Sequence, residues 1–373
     1  MKNKRNRLLV GSVVLLGLCL AALKMQVLQV VYAEDQDIMS DTITIQYDTS
    51  RLGGEKVSIS PDVTQMAFCK GTQEFFVQDL STNRITTYPT HDKVYQVKYS
   101  PDGKYLVAGC NVFNLQTGKI RQLATDGLKI SHFGEVIAFS PDGESVAIIS
   151  EQPGMTPRPY TIEIWNLQTQ QLVQTLPIQE YYRSSTGYGS YTKEMSFSKD
   201  ARYLAVAGTT ITIWDIQKGK CIKTLVTKSK SEYNSLPHDT NYTTITYSPD
   251  GKYLAAGVVS VYIKQGFERS IQENFIEIWD VEQGEVFKTL DWDKHITSRL
   301  RYSPDGGYLA SGRTVGRDDD ICDVAWIWDV NNWQVVKKLT QFPDNHITDM
   351  DYSGNGNYVS VSGLWHTKIW KIK

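Results

Sequence analysis

The sequence predicts an all-β protein assembled from seven repeated units. Three observations carry that expectation. A Ser-Pro-Asp-Gly turn recurs along the chain, short alternating runs rich in Val, Ile, Thr and aromatic residues flank each copy, and the 373 residues exceed what one compact core usually organises. A chain of that length is either divided into domains or built from repeats, and the recurrence decides for repeats. With 21 tyrosines and 9 tryptophans, the composition suits pleated, half-buried strands better than helices.

The chain opens on an address. Lys2, Lys4, Arg5 and Arg7 precede an apolar run over residues 8–23 that Lys24 ends, which is the charged and apolar order of an export signal. Val31-Tyr32-Ala33 stands before Glu34 and Asp35, and cleavage after Ala33 is the first expectation. A spanning helix wants about 20 apolar residues and this run is a little short, yet a retained membrane tether through residues 8–23 is the second reading. Leu16-Gly17-Leu18-Cys19 resembles a lipobox, except that Leu18 stands where a small residue is required. Residues 1–33 are therefore a signal peptide or signal-anchor. The rest is expected outside the cytoplasm, secreted or periplasmic, or held at the membrane.

The repeat begins at about residue 41 and runs to 373. Ser-Pro-Asp-Gly stands at 100–103, 140–143, 248–251 and 303–306, and looser copies stand at 60–62, 198–201 and 353–356. Pro presets the first turn position, Asp bonds the backbone ahead and Gly takes the positive φ, so each copy joins two strands. Before each turn an alternating run ends in an aromatic, as in Val97-Lys98-Tyr99, and after it comes a run such as Tyr253-Leu254-Ala255. A third strand follows at Ile164-Trp165-Asn166, Ile213-Trp214-Asp215, Ile278-Trp279-Asp280 and Ile327-Trp328-Asp329, and a fourth at stretches such as residues 219–225. Four antiparallel strands per unit make a blade, and seven units make a seven-bladed β-propeller. The last unit has room for only three strands, near 348–352, 358–362 and 367–371. The alternating run at residues 42–47 is expected to supply the missing outer strand and close the ring.

This pattern resembles the WD-repeat family, whose Trp-Asp pair stands at Trp214-Asp215, Trp279-Asp280 and Trp328-Asp329. The likeness runs from about residue 41 to 373. Trp165-Asn166, Phe113-Asn114, Gln78-Asp79 and Trp370-Lys371 occupy the same place in the other units, and His91, His295 and His346 lie close to the position of the family's Gly-His pair.

Charge excludes one partner class. The net charge is -2, and no basic block follows the first seven residues, so nucleic acid is not expected as a partner. Cys19, Cys69, Cys110, Cys221 and Cys322 form no C-x-x-C pair, so no metal site is expected. Cys69, Cys110 and Cys322 read as small buried thiols, and disulfide pairing stays open. Asp318-Asp319-Asp320 with Asp323 lacks the interleaved spacing of a calcium loop and reads as a solvated acidic loop. Asn241-Tyr242-Thr243 fits a glycosylation acceptor.

Unit lengths are uneven, and the extra residues fall between second and third strands (151–160, 258–275, 313–324) and between the fourth strand and the next blade (177–194, 226–243). In a four-strand blade both connections lie on one face, and long loops on a rigid scaffold are where binding residues concentrate. These segments carry Tyr160, Tyr181, Tyr182, Arg183, Tyr188, Tyr191, Tyr233, Tyr242, Tyr262, Phe267, Arg269, Arg313 and Arg317. Tyr and Arg are the residue types that anchor protein interfaces. The sequence thus predicts a non-catalytic scaffold that meets a protein partner through this face, as a monomeric propeller without catalytic residues, metal or cofactor. Two alternatives remain. One is a propeller-type hydrolase or lactonase with its site at the central channel, although no G-x-S-x-G, H-E-x-x-H or P-loop is present and Ser190-Tyr191-Thr192-Lys193 lacks the companion motifs of its class. The other is a carbohydrate or cell-wall binding module that stacks sugars on exposed tyrosines.

Overall fold

Each repeated turn folds as its side chains dictate. At Ser248 the carbonyl accepts the N–H of Gly251 at 2.8 Å. The hydroxyl donates to Asp250 Oδ1 at 2.5 Å and accepts the N–H of Tyr253 at 2.9 Å. The same serine-centred set recurs at Ser60, Ser100, Ser140, Ser198, Ser303 and Ser353, where Asn355 replaces the aspartate. The fourth position needs a left-handed backbone. Gly supplies it in five turns, whereas Val63 and Ala201 adopt it at φ 60° and 56° against their steric preference.

The computed structural model describes residues 29–31, 42–46, 56–123, 129–130, 137–151, 160–178, 194–227, 238–263, 269–291, 296–314, 325–340, 347–363 and 366–373. Among them it holds strands and turns and no helix. Seven antiparallel sheets form the blades of a propeller. Blade four is a plain example, with strands Glu194–Phe197, Tyr203–Ala207, Ile211–Asp215 and Lys220–Leu225 hydrogen-bonded in that order. The residue after the aromatic of the third strand caps the next turn. Asp215, Asp280 and Asp329 accept backbone N–H groups from Lys218, Gln283 and Asn331 at 3.0, 2.9 and 2.8 Å. Asn114 and Asn166 do the same, so an amide satisfies the position as well as a carboxylate.

The core lies between blades. Seven clusters of buried apolar side chains each straddle one blade interface; Leu204, Val206 and Ile216 of blade four meet Ile149, Ile162 and Ile164 of blade three, for example. Trp165, Trp279, Trp328 and Trp370 are buried in these seams. Trp328 Nε1 donates to Ser311 Oγ at 2.8 Å, Trp165 to Glu163 at 3.0 Å and Trp214 to Thr212 at 3.0 Å, so these three rings keep their polar atom satisfied, whereas the buried Nε1 of Trp279 has no hydrogen-bond partner among the described residues. Cys69 and Cys110 are buried and Cys221 is exposed; Cys19 and Cys322 lie outside the described residues.

The ring closes as expected. Blade seven holds Asp349–Tyr352, Tyr358–Ser362 and His366–Lys371, and Thr42–Gln46 pairs antiparallel with the last of these, Thr44 opposite Lys368. Gly354 N–H bonds Pro61 O at 3.0 Å across the same seam. A fifth strand, Gln29–Val31, lies on the far edge of Thr42–Gln46. The sequence assigns these residues to the address segment; cleavage after Ala33 would remove this strand and keep the closing one. Residues 1–28 lie outside the described residues, and among the described residues no helix is long and apolar enough to cross a membrane.

The expected loop over 258–275 is largely strand, and the one over 226–243 ends in strand from His238. Blade five has strands of 10, 11 and 12 residues, His238–Tyr247, Tyr253–Ile263 and Arg269–Asp280. The β-branched run through Val258, Val259 and Val261 extends the second of these, and Arg269–Asp280 pairs along its length.

Candidate functional site

Two places on the ring can host function: the face where the long connections emerge, and the central channel. On the first face, the first three strands of blade five are the longest among the described residues. They form a ladder in which His238 pairs with Tyr262, and Tyr262 with Ser270. Tyr262 and Arg269 therefore come together at the end of one hairpin, with Ile263 opposite Arg269. Tyr160 opens the strand Tyr160–Asn166, opposite Glu151 and Ile178.

Two of the thirteen candidates belong elsewhere. Tyr242 is fully buried between blades four and five, and its hydroxyl accepts the N–H of Thr227 at 2.7 Å. Burial drives its phenol pKa upward. Arg313 is 2% exposed within the strand Tyr308–Thr314. Tyr242 lies in a blade seam and Arg313 is buried within its strand, which leaves neither side chain surface for a partner. Tyr181, Tyr182, Arg183, Tyr188, Tyr191, Tyr233, Phe267 and Arg317 lie outside the described residues, as do Ser190 to Lys193 and the aspartates from 318 to 323.

The channel is a site that the sequence left without named residues. First strands of successive blades adjoin one another around it, and a cavity of about 730 Å³ opens among their ends. The turns rim it: Pro61, Pro101, Pro141, Pro249 and Pro304 all line the cavity. The exposed inner edge of each first strand would otherwise carry unpaired N–H groups. Short side chains of the preceding blade satisfy several of them: Ser58 Oγ accepts Tyr99 N–H, Ser196 Oγ accepts Tyr247 N–H and Thr244 Oγ1 accepts Leu300 N–H, at 3.0, 3.0 and 3.1 Å.

Charge gathers on this wall. Arg301 bonds Glu194 at 2.5 Å and lies 3.8 Å from Asp349, which Arg299 approaches at 3.6 Å. Glu194 also accepts the hydroxyl of Thr244. Burial opposes the Arg301 guanidinium, but Glu194, Asp349 and Asp351 outweigh it and hold its pKa above the ordinary arginine value. Lys98 and Asp351 line the same cavity. Each of these six residues reads in sequence as the polar member of an alternating strand, because the ring, not local spacing, brings them together. The only sequence signal is their common offset from the turn serine: Lys98, Arg301 and Asp351 each stand two residues before it. Among the described residues no group of three or more His, Cys, Asp or Glu is placed to hold a metal ion.

In a comparison with protein-family models, residues 82–111 match WD40, the WD domain, G-beta repeat. The segment runs from the last turn of blade one, through its outer strand Ile85–Pro89, to the first residue of the third strand of blade two. A matched repeat within a seven-bladed ring supports a WD-repeat propeller.

Proposed function

We propose that this chain is a non-catalytic protein-interaction scaffold that works outside the cytoplasm and meets its partner through the long-connection face. Propellers with WD repeats commonly serve as interaction scaffolds, and the repeat match supports that class for this chain. The observation that carries the choice of face is the strand length of blade five. Strands of 10 to 12 residues, against 5 or 6 in most other second and third strands, build a raised three-stranded platform on a ring whose opposite face is kept to minimal turns. A rigid platform loses little entropy on binding. Tyr262 and Arg269 stand at its tip, and they are residue types that anchor interfaces. The charged run at the N-terminus supports export.

The test replaces residues 259–273 by a two-residue turn, which trims the platform and leaves the ring's own registers intact. Proximity labelling of the full chain in an exporting host should enrich a partner that the trimmed chain loses, while both melt cooperatively. An identical partner set for both chains would overturn the choice of face. Recovery of an unprocessed cytosolic protein would overturn the location.

A further inference from the structure

Lys98 and Asp351 face the same cavity from blades two and seven. Between them stands only the first strand of blade one, which carries Ser58 at this level, and the Ser58 hydroxyl is turned to the backbone of Tyr99. Neither charge is committed. Among the described residues Lys98 has no hydrogen bond or ion pair, and the Asp351 carboxylate accepts only the N–H of Tyr352 at 2.9 Å. Lys98 is nonetheless the cation with the largest pull on Asp351. A cation and a carboxylate thus look into one cavity, close enough to feel each other and not in contact.

Four neighbouring charges are used up. Arg299, Arg301, Glu194 and Asp349 form a network joined by contacts of 2.5 to 3.8 Å, with two cations against two anions. Lys98 and Asp351 add one of each, and so do Lys199 and Asp142 at the turns that rim the cavity. The wall is neutral as it stands, so a lone anion or a lone cation would leave the low-dielectric channel with an unbalanced charge. A molecule carrying both charges would not. Around the pair, proline rings and Phe139 and Phe197 supply apolar wall, and a volume of about 730 Å³ falls within the roughly 300–1,000 Å³ common to small-molecule sites.

We propose that the channel binds a free amino acid, with Lys98 holding its carboxylate, Asp351 its ammonium group, and the apolar wall its side chain. The site is separate from the long-connection face and does not depend on the function proposed for that face. Its cost to the fold points the same way: burial raises the Asp351 pKa despite Lys98 and Arg301, so the ionised carboxylate opposes folding. A charge that the fold resists is explained by a ligand that uses it.

Isothermal titration calorimetry on the purified full chain tests this with glycine, phenylalanine, β-alanine and γ-aminobutyrate, whose ammonium and carboxylate stand at increasing separation. N-acetylphenylalanine and phenethylamine each lack one charge. Binding is expected for at least one zwitterion, with phenylalanine ahead of glycine among the α-amino acids. The singly charged analogues should bind at least about tenfold more weakly. Lys98→Met and Asp351→Asn should each weaken the zwitterion by about tenfold or more, and Asp351→Asn should melt no lower than the parent, which separates lost recognition from lost fold. Absence of heat with every amino acid at millimolar concentration would overturn the proposal. So would equal binding of the singly charged analogues, or affinity unchanged in both variants.

Discussion

At the scale of single residues, the turn serines are the most consequential small side chains in the molecule. Ser248 is 5% exposed and serves Asp250 and the backbone of Tyr253 together, so Ser248→Ala leaves a buried N–H unsatisfied and should cost about 1–3 kcal/mol by urea denaturation. Ala201→Gly should act in the other direction. Its φ of 56° is one that glycine adopts freely, and relief of about 1 kcal/mol is expected. The turn carboxylates also fix the acid limit of the fold. The Ser60 and Ser198 hydroxyls lower the pKa of Asp62 and Asp200, and Lys373 with Ser303 brings Asp305 down to about 2. A carboxylate whose pKa is lower folded than unfolded contributes stability that is complete above the unfolded value near 4 and is lost as pH falls toward the folded one. Urea midpoints should therefore hold from pH 7 to about 5 and fall steeply between about 4 and 2. Asp305→Asn should flatten that fall, as blade seven already uses Asn355; an unchanged slope would show that these aspartates do not set it.

At the scale of elements, the outer strands carry their meaning in alternation and its interruptions. In blades three to six the register slips once in the outer strand, skipping Val173, Ile222, Phe287 and Val336. Each is about half exposed, whereas the leucine three residues on is buried. Such a bulge twists the edge away from further pairing. Val336→Lys should therefore change stability by less than about 0.5 kcal/mol, and Leu339→Ala, three residues on, should cost about 2–5 kcal/mol. Chemical denaturation of the two variants side by side checks the contrast. Bulges also explain what the sequence hid. The register shifts between Tyr242 and Thr244 and between Thr297 and Arg299, and each extra residue breaks the period of two on which a strand is recognised. Tyr242 therefore looks like a loop aromatic beside Thr243, although it is fully buried. The turns and the Trp-Asp pairs were legible because their chemistry is local. The facing of Lys98 and Asp351 was not, since their two strands, far apart in the chain, come to flank the first strand of blade one only once the ring is closed.

At the scale of the whole molecule, stability rests on that closure. Every core cluster is shared by two blades, so no blade holds its own core and the ring gains cooperativity from having no free end. The seam between blades one and seven differs from the other six. It joins Val57, Met66 and Phe68 to Ile369, and the sheet behind Ile369 is completed only by Thr42–Gln46. That strand lies between two partners, Gln29–Val31 and His366–Lys371. A proline at Thr44 therefore loses a ladder bond whichever way the N–H points. Thr44→Pro should lower stability by at least about 2 kcal/mol and broaden the thermal transition, with proteolysis beginning at His366–Lys371. Among the described residues, removal of residues 1–33 takes only the outermost strand, and the shortened chain should melt within a few degrees of the full one. If instead that truncation opened the ring and Thr44→Pro left it closed, the strand that fastens the propeller would be Gln29–Val31, and the N-terminal segment would belong to the fold and not to an address.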